Sequence, residues 1–314
     1  EMCIRDRFKK TVELLKPLYE ELKREVFSCD YVQVDETTVP VINREKHKAD
    51  KEYLWMVRSV MERLVIFHYD GGSRAGAVIE SLANQYNFKG YLQCDGFAGY
   101  ETAFKANPDV RLLNCLVHIR RHFEQALDEN REMAQHALTQ IQHIYKIERQ
   151  CDEAGLSYDE RRQKRQELAR PIMEAMKVWM ETEGIKYSPG SLTGKAITYA
   201  YTKWDNIIRC LDDGRLYWDN NLAENVQRPI TLSRKNFLFC GNHEAAVNMS
   251  VICSLLATCK AHEVNPRVYL NDVIAQMPYH KKATQEELLN LLPHKWKLKH
   301  PECVLTRQKE ESCN

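Results

Sequence analysis

Hydrophobic residues recur in two rhythms along this chain, and each change of rhythm marks a change of structure. Over residues 8–27, Leu14, Leu15, Leu18 and Leu22 repeat at three- and four-residue spacing between Lys and Glu. That pattern predicts an amphipathic helix. The period then shortens. DYVQVDETTVPV, KEYLWMVRSV and RLVIFHYD are short runs rich in β-branched and aromatic residues. They predict three strands, the last two as a hairpin, and Gly71-Gly72 closes that unit. SRAGAVIESLANQY predicts a helix, GYLQCD a buried strand, GFAGYETAFKA a second helix, and VRLLNCLVH a further buried strand. Strands followed by alternating helix and strand predict an α/β fold, a mixed sheet covered by helices.

From 119 to 213 the strand signal disappears. IRRHFEQALDENREMAQHALTQIQHIYKIERQ, DERRQKRQELARPIMEAMKVWMETEG and SLTGKAITYAYTKWDNIIRCLDD are helical and charged, with Pro171 as a break or first-turn residue. This stretch predicts an all-helical insertion, and its RRQKR run reads as a solvated charged face. GRLYWDNNLAENVQRPI then predicts a turn, a short extended piece and a helix start. LSRKNFLFCG predicts a hairpin-like or extended element, and HEAAVNMSVICSLLATCKAH a strong helix with Val247, Val251, Leu255 and Leu256 on its apolar face. Asn265 and Pro266 open one more helix. The expected organisation is a helical lead-in (1–28), a core (29–118 and 214–262) split by the insertion (119–213), and a carboxy-terminal element with a polar tail (263–314). The chain begins with Glu and reads as an excerpt of a longer protein. Its first seven residues fit the helical pattern poorly and read as extraneous.

Composition narrows the function classes. With 44% hydrophobic and 28% charged residues over 314 positions, the chain is long and apolar enough for a sizeable core. The formal net charge of +1 gives no global sign of nucleic-acid binding, so any basic surface must arise from local clustering. The 11 cysteines include no C-x-x-C pair and are odd in number. They read as reduced thiols of a cytoplasmic protein. No apolar run is long enough to span a bilayer, so no membrane partner is expected.

Two acids stand at the ends of apolar strands, Asp35 in VQVDETT and Asp95 in YLQCDGFAGY. A carboxylate beside an apolar strand is costly unless it is paired, hydrogen-bonded or bound to metal. Hard oxygen ligands with open positions suit Mg²⁺ or Mn²⁺. A helix acid, Glu224, would complete a set for two-ion phosphoryl transfer, which needs no covalent nucleophile. The chain has no P-loop, nucleophile elbow or dinucleotide fingerprint. Taken singly, each acid also has a plain structural reading: Asp95-Gly96 as a turn, and Asn221-x-x-Glu224 as a capping box. The order of strand Asp, strand Asp, helical insertion and helix Glu favours chemistry. Cys115, His118 and His122 have ligand-like spacing, but no fourth ligand is obvious and Cys115 lies in an apolar strand, so zinc is disfavoured there. Arg120 and Arg121 follow His118. Arg228, Arg234 and Lys235 follow Glu224, where cations suit a DNA backbone. Trp218 and Phe237 are candidates for stacking on an unpaired base, with core packing the plainer role for Phe237.

VDETTVPV, YLWMVRS, LQCDGFAGY, DDGRLYWDNNLAENVQRPITLSRKNFLFCG, TCKAHEVNPRVYLNDVIAQMP and LLPHKWK together resemble successive motifs of the insertion-sequence-66-type transposases. The resemblance runs from about residue 8 to 297. It implies a DDE transposase with an RNase H-like core, Asp35, Asp95 and Glu224 as its catalytic and metal-binding acids, and Mg²⁺ or Mn²⁺ as cofactor. It implies transposon-end and target DNA as partners, small accessory proteins of the element, and a homo-oligomer on DNA. Family members also carry an amino-terminal DNA- and zinc-binding region that nothing here matches. Leu116 departs from the family's usual aromatic residue, and the tail after Trp296 is untypical. Alternatives are a nuclease on the same core that cuts without joining, and a catalytically idle DNA-binding fragment.

Overall fold

In the computed structural model, the described residues are 4–280 and 282–305, without the side chains of Arg5, Ser233 and Arg234. The elements in order are α1 (Ile4–Ser28), β1 (Tyr31–Asn43), β2 (Lys48–Ser59), β3 (Val65–His68), α2 (Ala77–Gln85), β4 (Gly90–Cys94), α3 (Ala98–Phe104) and β5 (Val110–Asn114). Five helices follow without a strand: α4 (Leu116–Ala126), α5 (Arg131–Glu153), α6 (Tyr158–Lys164), α7 (Arg170–Gly184) and α8 (Leu192–Ile208). Then come α9 (Asn221–Phe237), α10 (His243–Ala261), α11 (Pro266–Gln276), α12 (Gln285–Leu291) and α13 (Pro293–Lys299). The class is mixed α/β, as the alternating pattern implies. No helix of the described residues is long and apolar enough to cross a membrane. The chain divides into two compact units, Glu1–Gly90 with Leu222–Asn314, and Tyr91–Asn221.

In the first unit, Val12, Leu15, Leu18, Leu22 and Val26 bury one face of α1. That helix starts at Ile4 and so takes in residues 4–7 of the segment that reads as extraneous. Strands β1, β2 and β3 form an antiparallel meander, with β2 in the middle. The β1–β2 hairpin was hidden by its polar tip. There Asn43 takes the N–H groups of Glu45 and Lys46 on its side-chain oxygen and donates to Asp50, which makes the turn. Strand β3 is bonded to β2 on one side, and α10 covers its other side with hydroxyls. Ser254 Oγ accepts the Phe67 N–H at 2.7 Å, and Thr258 Oγ1 both accepts from and donates to the Val65 backbone. Strand groups that would otherwise be orphaned are thereby satisfied. This explains why the buried face of α10 includes Ser250, Ser254 and Thr258 beside Val251 and Leu255, while Val247 and Leu256 are only half-buried.

On the same face of the meander, Val39, Val41, Leu54 and Met56 pack with Ala223 and Ile230 of α9. Helix α9 runs on to Phe237, so LSRKNF is helical and not extended. Cys240 then pairs with β1: its N–H bonds the Pro40 carbonyl, and its carbonyl accepts from Ile42. Asn265 caps α11, accepting from the Arg267 and Val268 N–H groups, and Trp296 buries α13.

In the second unit β4 neighbours β5. Strand β5 stops at Asn114, whereas VRLLNCLVH had read as strand throughout. Cys115 stands at the cap of α4, and His118 lies in its first turn. The Leu116 N–H is taken by the Trp218 carbonyl at 2.8 Å, which turns the chain out of the strand. Between α6 and α7 the helix widens into a π-turn over Arg165–Ala169. Pro171 sits in the first turn of α7 and offers no N–H to the Glu167 carbonyl, so the ladder shifts there.

Candidate active site

Asp35 and Glu224 both belong to the first unit, and Asp95 to the second. Asp35 is half-buried on β1, with one carboxylate oxygen accepting the Glu36 N–H at 2.9 Å. Residues two apart on a strand share a face, so Gln33, Asp35, Val39 and Val41 all look toward α9. Gln33 is fully buried (0% exposed), and its side-chain oxygen accepts the Ala223 N–H at 3.0 Å. Arg58, opposite Gln33 in the β1–β2 register, reaches the Leu222 carbonyl. The first turn of α9 is therefore held on the strand that carries Asp35. Half-buried Glu224 lies in that turn. Asn221 is the first residue of α9, and Glu224 follows within its first turn. Glu36 is engaged elsewhere, in an ion pair with Arg74 at 2.8 Å.

In the second unit Asp95 follows β4, and its side chain closes a turn by accepting the Phe97 N–H at 2.9 Å. The turn and the acid coexist. Its carbonyl accepts from Asn114, whose side-chain oxygen accepts from Asn206, which in turn accepts from Arg209. This relay ties the Asp95 turn to β5 and α8. Gly96 is required here, because a Cβ would lie 1.9 Å from the Tyr199 hydroxyl. Burial, and then the charge of Asp95, push the Tyr199 phenol well above its ordinary range. Tyr199 also packs on His122, with ring centroids 4.1 Å apart. Two residues before Asp95, Gln93 is fully buried (0%) and donates to the Tyr217 carbonyl at 2.7 Å. Each acid-bearing strand thus has a buried glutamine two residues upstream of its acid. Gln33 holds the first turn of α9 within the first unit, and Gln93 holds Tyr217 within the second. Nothing in hydropathy marks Gln33, Gln93 or Tyr199; the only available signal was the repeated spacing in VQVD and LQCD.

Cys115 accepts the Asn220 N–H, and burial pushes its thiol up to about 12, so it stays protonated. Half-buried His118 and His122 lie on α4, where burial, then His118 and Arg121, lower the His122 pKa. Asp219 accepts from Tyr145 and from the Asn221 N–H.

The charged run RRQKR is not a solvated face throughout. Arg165 is 1% exposed, and all five of its N–H groups are used: two to Glu148, and one each to the carbonyls of Cys210, Asp213 and Leu216. Burial alone would raise the Glu148 pKa, but its bonds and charge contact with Arg165 hold it below the usual range. Glu148 also accepts from the Trp218 indole at 2.9 Å, and Arg165 lies over the Trp218 ring. Trp218 is therefore 2% exposed and serves packing, not base stacking. Phe237 is half-buried.

Arg120 and Arg121 are exposed on α4, with Arg120 paired to Glu124 at 2.8 Å. Arg228 and Lys235 are exposed on α9; the side chain of Arg234 lies outside the described residues. Among the described residues, no group of three or more His, Cys, Asp or Glu is placed to hold a metal ion. The donor chemistry of Asp35, Asp95 and Glu224, three carboxylates, fits a hard divalent cation.

Residues 1–248 match the family model described as "Transposase IS66 family", and residues 254–294 match the "IS66 C-terminal element". Three curated relatives come from Sinorhizobium fredii (strain NBRC 101917 / NGR234). "Uncharacterized protein y4hP" is 28% identical over 90% of this chain and 54% of its own length. "Uncharacterized protein y4qI" is 29% identical over 88% and 53%, and "Uncharacterized protein y4jD" 29% over 90% and 57%. The chain spans about half the length of these relatives.

Proposed function

The chain belongs to the IS66 transposase family, and from that premise we propose that it cleaves and joins DNA at insertion-sequence ends by a DDE mechanism. The observation that carries this reading is the paired glutamine grip. Gln33, two residues before Asp35, holds the first turn of α9, which carries Glu224, and Gln93, two residues before Asp95, is likewise buried and bonded, to Tyr217 in the second unit. On this reading the core is RNase H-like, and Asp35, Asp95 and Glu224 bind Mg²⁺ or Mn²⁺. Such ions, when bound, activate the attacking water or 3′-hydroxyl and stabilise the leaving oxygen. The protein's own part is positioning. Gln33 and Arg58 fix the first turn of α9, and the Asn114–Asn206–Arg209 relay fixes the Asp95 turn. Exposed Arg228, Lys235, Arg120 and Arg121, with Arg234 and His118, would contact the DNA backbone without reading sequence. Small accessory proteins and further copies of the chain are the proposed partners.

The test is Mn²⁺ binding by electron paramagnetic resonance, alongside nicking of supercoiled plasmid and joining of a labelled 3′-hydroxyl oligonucleotide. Asp35→Asn, Asp95→Asn and Glu224→Gln should each lose more than the ~10–100-fold typical of an outer metal partner, with thermal melting unchanged. Nicking without joining would favour a nuclease. Activity that survives all three substitutions would sink the assignment.

A further inference from the structure

Beyond Glu224, α9 carries a second device. Glu224, Arg228, Leu232 and Lys235 recur at four-, four- and three-residue spacing, which sets them along one helix face. Leu232 is 62% exposed there. Just past the helix end, Leu238 and Phe239 are 61% and 47% exposed, side by side. Adjacent large apolar residues this open to water on a basic helix invite a partner. The backbone that presents them is unusual. Leu238 has φ 58, a left-handed conformation that a leucine adopts at an energetic cost. The turn is clamped on both sides, by α9 before it and by the Cys240 bonds to Pro40 and Ile42 after it. A glycine at 238 would relieve the cost, yet the chain keeps a leucine whose side chain points into solvent.

Resting on the transposase reading above, we infer that Leu238 and Phe239 are an apolar wedge that enters DNA at an unpaired or opened base step. Arg228 and Lys235 hold the backbone beside it. The charge complements DNA: both exposed cations lie on the face that leads from the third acid to the wedge. The helix from Glu224 to Phe237 is about 20 Å long, or roughly six base pairs of duplex. Laid along a duplex, that length would put the wedge at most about half a turn from the third acid. Leu and Phe are side chains that other DNA-bending proteins insert between bases, and stacking of this kind tolerates any sequence.

The experiment uses two fluorescent 30-base-pair duplexes, one fully paired and one with a central three-base bubble, read by anisotropy at two salt concentrations. The wild-type chain should bind the bubble about ten-fold tighter. L238S/F239S should lose that preference while its affinity for paired DNA stays within about two-fold. R228Q/K235Q should weaken both complexes alike and flatten the salt dependence. L238G separates a structural role from this one: it should melt higher than wild type and still lose the bubble preference. A wild type with no preference, or L238S/F239S with the preference intact, overturns the wedge. So does a change in sedimentation of L238S/F239S with bubble preference unchanged, which would make the patch a contact between protein copies. Failure to bind either duplex at low salt also overturns the wedge, while the nicking and joining assays above judge the transposase reading separately.

Discussion

The hydrogen bond that each buried glutamine makes to a distant backbone group has two measurable consequences when it is lost. In Gln33→Met the side chain keeps its approximate volume but offers no acceptor, leaving the Ala223 N–H buried and unmatched. An orphaned buried donor costs about 1–3 kcal/mol. Gln93→Met has the same logic with the roles reversed and a smaller cost, because the Tyr217 carbonyl loses its amide donor but keeps the Cys210 thiol. If the glutamines only stabilised the fold, stability would fall and Mn²⁺ affinity would follow only as the protein unfolds. The proposed positioning role predicts more: under conditions where each variant is fully folded, Mn²⁺ affinity should drop by ~10-fold or more, as for other outer partners of a metal site. Urea unfolding and a Mn²⁺ titration on the same samples separate the two. Unchanged affinity in both variants would reduce the glutamines to packing.

The π-turn of Arg165–Ala169 is the element on which the stretch between α8 and α9 depends. Arg165 spans from Glu148 on α5 to three carbonyls between Cys210 and Leu216. Arg165→Lys keeps the charge but replaces a planar five-donor fork with a point source of three donors. Losing at least two charge-assisted bonds should cost about 3 kcal/mol or more. Arg165→Met also leaves Glu148 buried without its main partner, which should cost about 3–5 kcal/mol. Unfolding followed by tryptophan fluorescence should rank wild type above Lys above Met; three overlapping curves would dismiss the hub. The same element shows where sequence legibility ended. Apolar rhythm located α1, β1 to β3 and the all-helical stretch, because burial there follows hydropathy. It missed Arg165, because an arginine buried with all its donors satisfied looks like any other charge in RRQKR. It carried β5 too far, since Leu116 is apolar enough for either state and the choice was made by the remote Trp218 carbonyl. It undervalued Ser254 and Thr258, whose hydroxyls face a strand and not water. Asp35, Asp95 and Glu224 stand out in the sequence as ordered motifs, whereas Gln33, Gln93, Asn114 and Tyr199, which contact the segments around them, are polar residues whose meaning comes only from partners distant in sequence.

Across the whole molecule, acid should act on the two units at different pH. In the first unit His68, His262 and His294 each have a pKa lowered to about 4, in every case chiefly by burial, with Lys23, Lys297 and Lys295 respectively adding repulsion. A base whose folded pKa lies below its ordinary 6.5 binds fewer protons folded than unfolded between those values. Stability is then complete above 6.5 and declines as pH falls toward 4. In the second unit Glu148 has the opposite chemistry and the same sign. Its folded pKa lies below 4.5, so its contribution is intact above 4.5 and lost only as pH falls through the lower folded value. Half-buried His122 adds a weaker histidine-type loss there. The first unit should therefore loosen between pH 6.5 and 4, with the second persisting to lower pH. Hydrogen exchange read by mass spectrometry, corrected for intrinsic rates across pH 7 to 3, follows both at once. Peptides from β3, α10 and α13 should lose protection before peptides from α5 and the Arg165 turn. Loss in the reverse order, or a flat profile above pH 4, would mean that the buried histidines are not what limits the first unit in acid.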